Sequence, residues 1–90
     1  MDWRYLLEGD LLEEFGLQIK LLRKQAGLSQ QDLADHIGTT RIRIGEIERG
    51  KNTSIVFILR ILKVFNKIND LQEILQIEQI SPKAMFEKGK

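Results

Sequence analysis

Arg41, Arg43, Arg49 and Lys51 fall in one short stretch with Ile42 and Glu46 between them. Those residue types suit recognition of a duplex rather than bond making. An arginine fork can meet guanine O6 and N7, a carboxylate can accept from the cytosine amino group, and a branched apolar side chain can lie against a thymine methyl. Cations at the edge of such a face can neutralise phosphates. Covalent or metal chemistry finds no comparable support. His36 is the only histidine, cysteine is absent, and no second ligand stands at metal-binding spacing. The seven glycines form no phosphate-cradling loop, and the scattered carboxylates read as helix caps and solvated faces. No catalysis, cofactor, metal or small-molecule ligand is therefore expected.

Such side chains need a rigid element beneath them, and Ser29 to Gly50, SQQDLADHIGTTRIRIGEIERG, supplies the pattern of two short helices joined by a tight turn. Ser29 with Asp32 three residues on is a capping-box signature, so a helix is expected from Gln30. Leu33, Ala34 and Ile37 recur at helical spacing as its inner face, and Gly38 can close it in the left-handed conformation. Thr40 can cap a second helix whose Ile44 and Ile47 face back toward Leu33 and Ala34. Ala34 is required by the crossing, since a larger side chain would push the two backbones apart. At 100° per residue, Ile42, Gly45, Glu46 and Arg49 then turn outward, with Arg41 in the exposed first turn.

The flanks read as further helices. Asp10 with Glu13 forms a capping pair ahead of a stripe of Leu11, Phe15, Ile19 and Leu22, and Gly27 closes that helix. Leu28 plugs the corner before the motif. Ser54 is the expected cap of a helix running to about Phe65, broken by Asn66, and Asn69 with Gln72 is a weaker cap for a short last helix. In the helix after Ser54, Ile55, Ile58, Leu59, Leu62 and Phe65 are expected to face the core. Phe57, Ile61 and Val64 widen the apolar arc to roughly 220°, about twice that of an ordinary surface helix, leaving Val56, Arg60 and Lys63 to mark the other side. One neighbour cannot bury that arc. Phe57, Ile61 and Val64, joined by Ile74 and Ile77 downstream, are therefore the expected homodimer interface, with packing of the last helix as the alternative. The boundaries that follow are an N-terminal arm at 1–9, a helical domain at 10–78 and a C-terminal tail at 79–90.

Ninety residues suffice for one small domain with a core of its own. The net charge of +1 hides an asymmetry: residues 16–67 carry ten cations against four anions, whereas residues 1–15 carry one against five. The apolar run Ile55 to Phe65 is interrupted by Arg60 and Lys63 and is too short to span a bilayer. The N-terminus has no basic segment followed by an apolar one, so a cytoplasmic location without membrane contact is expected.

The succession GLSQ-x-x-LA-x-x-IG followed by Ile44, Ile47, Glu48 and Gly50 resembles the phage-repressor-like helix-turn-helix family, also called the XRE or Cro/C1 type, over roughly Phe15 to Leu75. Thr39 departs from it where the family prefers an apolar residue, and Gly45 costs its helix about 1 kcal/mol against alanine. The resemblance implies an all-α, five-helix lambda-repressor-like bundle with the second helix of the motif in the major groove. By family position it implies Thr40, Arg41, Ile42 and Glu46 as base-reading residues, Gln30, Arg43, Arg49 and Lys51 as phosphate contacts, and Arg23 with Glu48 as a partly buried structural ion pair. The expected function is a sequence-specific, double-stranded-DNA-binding transcriptional regulator, a dimeric repressor reading a palindromic operator. Two alternatives stay open: an antitoxin-like protein that binds a toxin and represses its own operon, and a protein-interaction adaptor that does not read DNA.

Overall fold

The computed structural model describes residues 2–76. A 3-10 turn at Trp3–Tyr5, capped by the Asp2 side chain, leads into α1 (Glu8–Gln25), α2 (Gln30–Ile37), α3 (Arg41–Glu48), α4 (Ile55–Val64) and α5 (Ile68–Leu75). Among the described residues there is no strand, and the fold is an all-α, five-helix arrangement. Ile19 of α1, Leu33, Ala34 and Ile37 of α2, Ile44 and Ile47 of α3 and Ile61 of α4 form the buried core. Phe15, Leu22, Phe57, Val64 and Phe65 pack around it.

Two helix starts differ from the capping pairs in the sequence. Asp10 does not cap α1. The helix begins three residues earlier than that cap would place it, with Leu7 as a cap that offers no side-chain hydrogen bond and with the Leu11 N–H donating to the Leu7 carbonyl at 2.9 Å. Glu8 and Asp10 lie instead in the first turn, where carboxylates interact favourably with the positive end of the helix dipole. At α5 the start is fixed by Asn66, which takes φ +57° and turns the chain, so the helix opens at Ile68 and the Asn69–Gln72 pair lies inside it. The Lys67 N–H donates back to the Leu62 carbonyl at 2.8 Å, closing the end of α4.

The phase of α4 corrects the sequence reading. Ile61 is 0% exposed and belongs to the core, with Phe57 and Val64 packed beside it, whereas Ile55 is 67% exposed. Ile61 is thus committed to the fold's own interior and is not an outward dimer surface, while Phe57 and Val64 are half-buried beside it. A 220° apolar arc gives the width of the face but not its direction. Beside the buried part of the arc stands Arg60, whose guanidinium donates to the Ile37 carbonyl at 2.9 Å and lies 5.9 Å from the centre of the Phe57 ring. That cation is exposed, yet its tip satisfies a carbonyl at the end of α2, so it borders the side packed on the motif. The apolar residues left outward are Ile55 and Val56 on α4, with Ile74 and Leu75 on α5. Ile77 and the 79–90 tail lie outside the described residues.

Gly16 is where α1 meets α3. A Cβ there would be 2.7 Å from the Glu48 carbonyl oxygen and would also strike that of Ile47, both backbone atoms that cannot swing aside. Gly16→Ala is expected to cost roughly 1 to 3 kcal/mol despite alanine's better helix propensity, because the crossing itself must open. Urea melts of the two proteins check this; equal or greater stability of the alanine variant would contradict the close approach.

Candidate nucleic-acid interface

The motif is built by three hydroxyl caps and one glycine. At the start of α2 the Ser29 Oγ accepts from the Asp32 N–H at 3.0 Å, and the Asp32 carboxylate accepts from the Ser29 N–H at 2.8 Å. That backbone donor, with the Ser29 hydroxyl second, holds the Asp32 carboxyl below its ordinary pKa. Gly38 ends α2 at φ +75°, a left-handed conformation that glycine enters without a Cβ penalty. Thr40 then caps α3, its Oγ1 accepting from the Arg43 N–H at 3.1 Å. Ser54 does the same for α4.

With Ala34 fully buried at the crossing, Ile44 and Ile47 pin α3 to α2 and turn its opposite side outward. That side presents Arg41, Ile42, Arg43 and Arg49 in exposed positions, with Glu46 half-buried among them and Thr40 exposed at the helix start. Ile42 is 68% exposed, a branched apolar side chain standing free on a helix whose other face is full. Arg43 Nε approaches Glu46 Oε1 at 3.9 Å, a loose pair on the solvent side. Lys51 is exposed just beyond the helix, its N–H held by the Glu46 carbonyl at 2.9 Å.

Gly45 lies on the side that the 100° count turns outward but is not exposed there. It is buried, because the Arg49 side chain folds back over it: a Cβ on Gly45 would stand 3.1 Å from Arg49 Nη1 and 3.8 Å from Gln30 Nε2.

The end of α3 is held by a buried polar network. Arg23 of α1 donates through Nε to Glu48 Oε2 at 2.6 Å and through Nη2 to Oε1 at 3.1 Å, a fork-on-fork pair. Its Nη1 donates to the Leu28 carbonyl at 2.9 Å, so the same guanidinium also ties down the corner between α1 and α2. The Gln30 amide donates to Glu48 Oε1 at 3.1 Å. One N–H of this side chain, read as a phosphate contact, is held by the network, and the backbone at the start of α2 is a second means of reaching an anion. Gly50, at φ +86° and packed against the Glu13 backbone, turns the chain away immediately after this anchor.

The sequence reading passed over Gly16 and took Arg60 only as a marker of the side of its helix away from the apolar arc. A glycine inside a strong apolar stripe is the available signal for the first, since it would be retained at a cost in helix propensity only for close packing. Nothing in the local pattern separates Arg60 from a solvated charge. Among the described residues no group of His, Asp or Glu could hold a metal ion, and no helix is long and apolar enough to cross a membrane.

Residues 19–70 match the family model described as helix-turn-helix. Among solved structures the chain is similar to the restriction-modification controller protein C.AhdI from Aeromonas hydrophila, at 38% sequence identity and a TM-score of 0.60, over 63% of this chain and 88% of that one. No curated protein gives a match.

Proposed function

The chain belongs to the helix-turn-helix family of DNA-binding transcription regulators, and from that premise we propose that it is a dimeric repressor that reads a palindromic operator through α3. The observation that carries this reading is the outward side of α3, where Arg41 and the 68%-exposed Ile42 stand clear of a helix held on its other face by Ile44, Ile47 and Glu48. Arg41 is assigned to a guanine, Ile42 to a thymine methyl, and Glu46 to a cytosine amino group, with Thr40 at the helix entry. The start of α2 at Gln30, together with Arg43 and Lys51, is assigned to phosphates.

A dimer is supported by the apolar side chains left outward on α4 and α5. A single eight-residue reading helix spans few base pairs, whereas two about 34 Å apart read both halves of a palindrome. The likeness to a restriction-modification controller protein supports control of such a system as the biological setting, in preference to an antitoxin paired with a toxin or to an adaptor that ignores DNA.

Selection of duplexes from a random pool, followed by binding titrations at several salt concentrations, tests the proposal. A palindrome should emerge, and log K should fall against log salt by about 0.9 for each phosphate neutralised. Lys51→Ala should weaken all duplexes alike. Arg41→Ala should instead cost about 1 to 3 kcal/mol at one base position and relax preference there. Recovery of no preferred sequence would favour the adaptor, and equal losses on operator and random duplex for Arg41→Ala would make Arg41 a backbone contact.

A further inference from the structure

We propose that Arg49 is a base-reading residue and that Gly45 is the notch that positions it. Arg49 follows Gly45 by four residues, and a long side chain on a helix leans toward the N-terminus onto the residue one turn back. A side chain at 45 would crowd that place, and the guanidinium would have to give way by a few tenths of an ångström. Glycine leaves it open, and the guanidinium settles into it, with Nη1 3.1 Å and Cζ 3.9 Å from where a Cβ would be.

Three consequences separate this arrangement from the phosphate contact expected of a cation at a helix end. First, at about 100° per residue Arg49 shares the stripe of Ile42, some 20° away, so its side chain runs along the outward face rather than off its edge. Second, folding back draws the guanidinium toward the middle of α3 and beside Gln30, which is itself anchored on Glu48. Third, among the described residues no carboxylate or carbonyl engages the Arg49 side chain, whereas Arg23 and Arg60 are consumed by internal acceptors. A planar fork of five donors, placed at mid-helix and left unpaired, suits the O6 and N7 acceptors of guanine. Gly45 thereby acquires a reason to sit in a helix that it weakens.

This assignment rests on the DNA-reading role of α3, and its test keeps the two apart. In the free protein, the Arg49 side-chain Nε–Hε resonance should shift in Gly45→Ala, which needs no DNA; an unchanged resonance overturns the notch. On selected duplex, Arg49→Ala should lose roughly 5- to 150-fold in preference at one base pair, Gly45→Ala should lose a smaller part of that preference at the same base pair, and the double variant should lose no more than Arg49→Ala alone. Binding to random duplex should stay near that of the parent for Gly45→Ala, whose thermal midpoint should not fall. Equal weakening of selected and random duplex by Arg49→Ala, with a shallower salt dependence, would return Arg49 to the phosphates and overturn the proposal. Retention of the parent's base preference by Gly45→Ala would overturn it equally. Failure of the parent itself to prefer any sequence, with the resonance shifted as expected, would count against the reading role of α3 and not against the packing.

Discussion

Glu48→Ala should destabilise the fold by about 3 to 5 kcal/mol, a large part of what a domain of this size has to lose. The substitution removes both acceptors of the Arg23 fork and leaves a guanidinium that is almost wholly buried with the Leu28 carbonyl as its remaining partner. It also frees the Gln30 amide. Arg23→Ala leaves the opposite orphan, a buried carboxylate held by Gln30 alone. The double substitution should cost less than the sum of the two, since the uncompensated charge is the dominant penalty and vanishes when both partners go. Denaturant melts of the four proteins measure the coupling. Additive effects below roughly 0.5 kcal/mol each would mean that the pair sits in water. A methionine or leucine pair in its place could even restore stability. What such a pair would lose is the fork geometry that fixes the end of α3 against α1 and the start of α2, so operator affinity should fall in a protein that melts normally.

Ile61→Glu is expected to abolish cooperative folding. The side chain is fully buried, so the change forfeits the 2 to 5 kcal/mol of a core aliphatic residue and adds an unpaired carboxylate to an apolar site, together comparable with the whole stability of a small domain. The contrast is with Ile55→Glu and Ile74→Glu, at sites 67% and 76% exposed in the single chain. These should leave the isolated fold within about 0.5 kcal/mol of the parent. If the outward apolar residues of α4 and α5 form the dimer surface, one or both should shift sedimentation from dimer to monomer and lower operator affinity. A folded monomer from Ile61→Glu would restore the outward phase of that residue, and dimers from both surface variants would move the interface elsewhere.

These cases show where the sequence is informative. The motif was legible in detail because each of its signals is local: a hydroxyl three residues before its backbone partner, a glycine at a left-handed position, an inner stripe of Leu33, Ala34, Ile37, Ile44 and Ile47. The outward exposure of Arg41 and Ile42 followed from that stripe by simple rotation. The count failed on the exposure of Gly45, because rotation places a Cα and says nothing of a neighbour's side chain folding over it. It failed at α4 for a different reason. With apolar residues over more than half the circumference, periodicity does not say which part of the arc meets the core, and it is Ile61 that is buried there, beside the long-range contact of Arg60 with the Ile37 carbonyl. The Asp10 and Asn69 caps failed because a capping pair competes with whatever begins the helix earlier, the extended chain at Leu7 in one case and the Asn66 turn in the other.

The Asn66 turn has a consequence for the timing of motion. α5 packs chiefly on α4, holds no fully buried side chain and joins the rest of the fold through that one left-handed residue. Detaching it exposes little apolar area and breaks no core contact, so it is the cheapest sub-global opening among the five described α-helices. The core helices, by contrast, release their amides only when Ile19, Leu33, Ile44 and Ile61 separate together. In the proposed dimer, a second copy laid over Ile74 and Leu75 would lock that opening shut, so the order of α5 would report the protein's own concentration, and a regulator of this design would carry its readiness to bind in α5 rather than in the helix that reads.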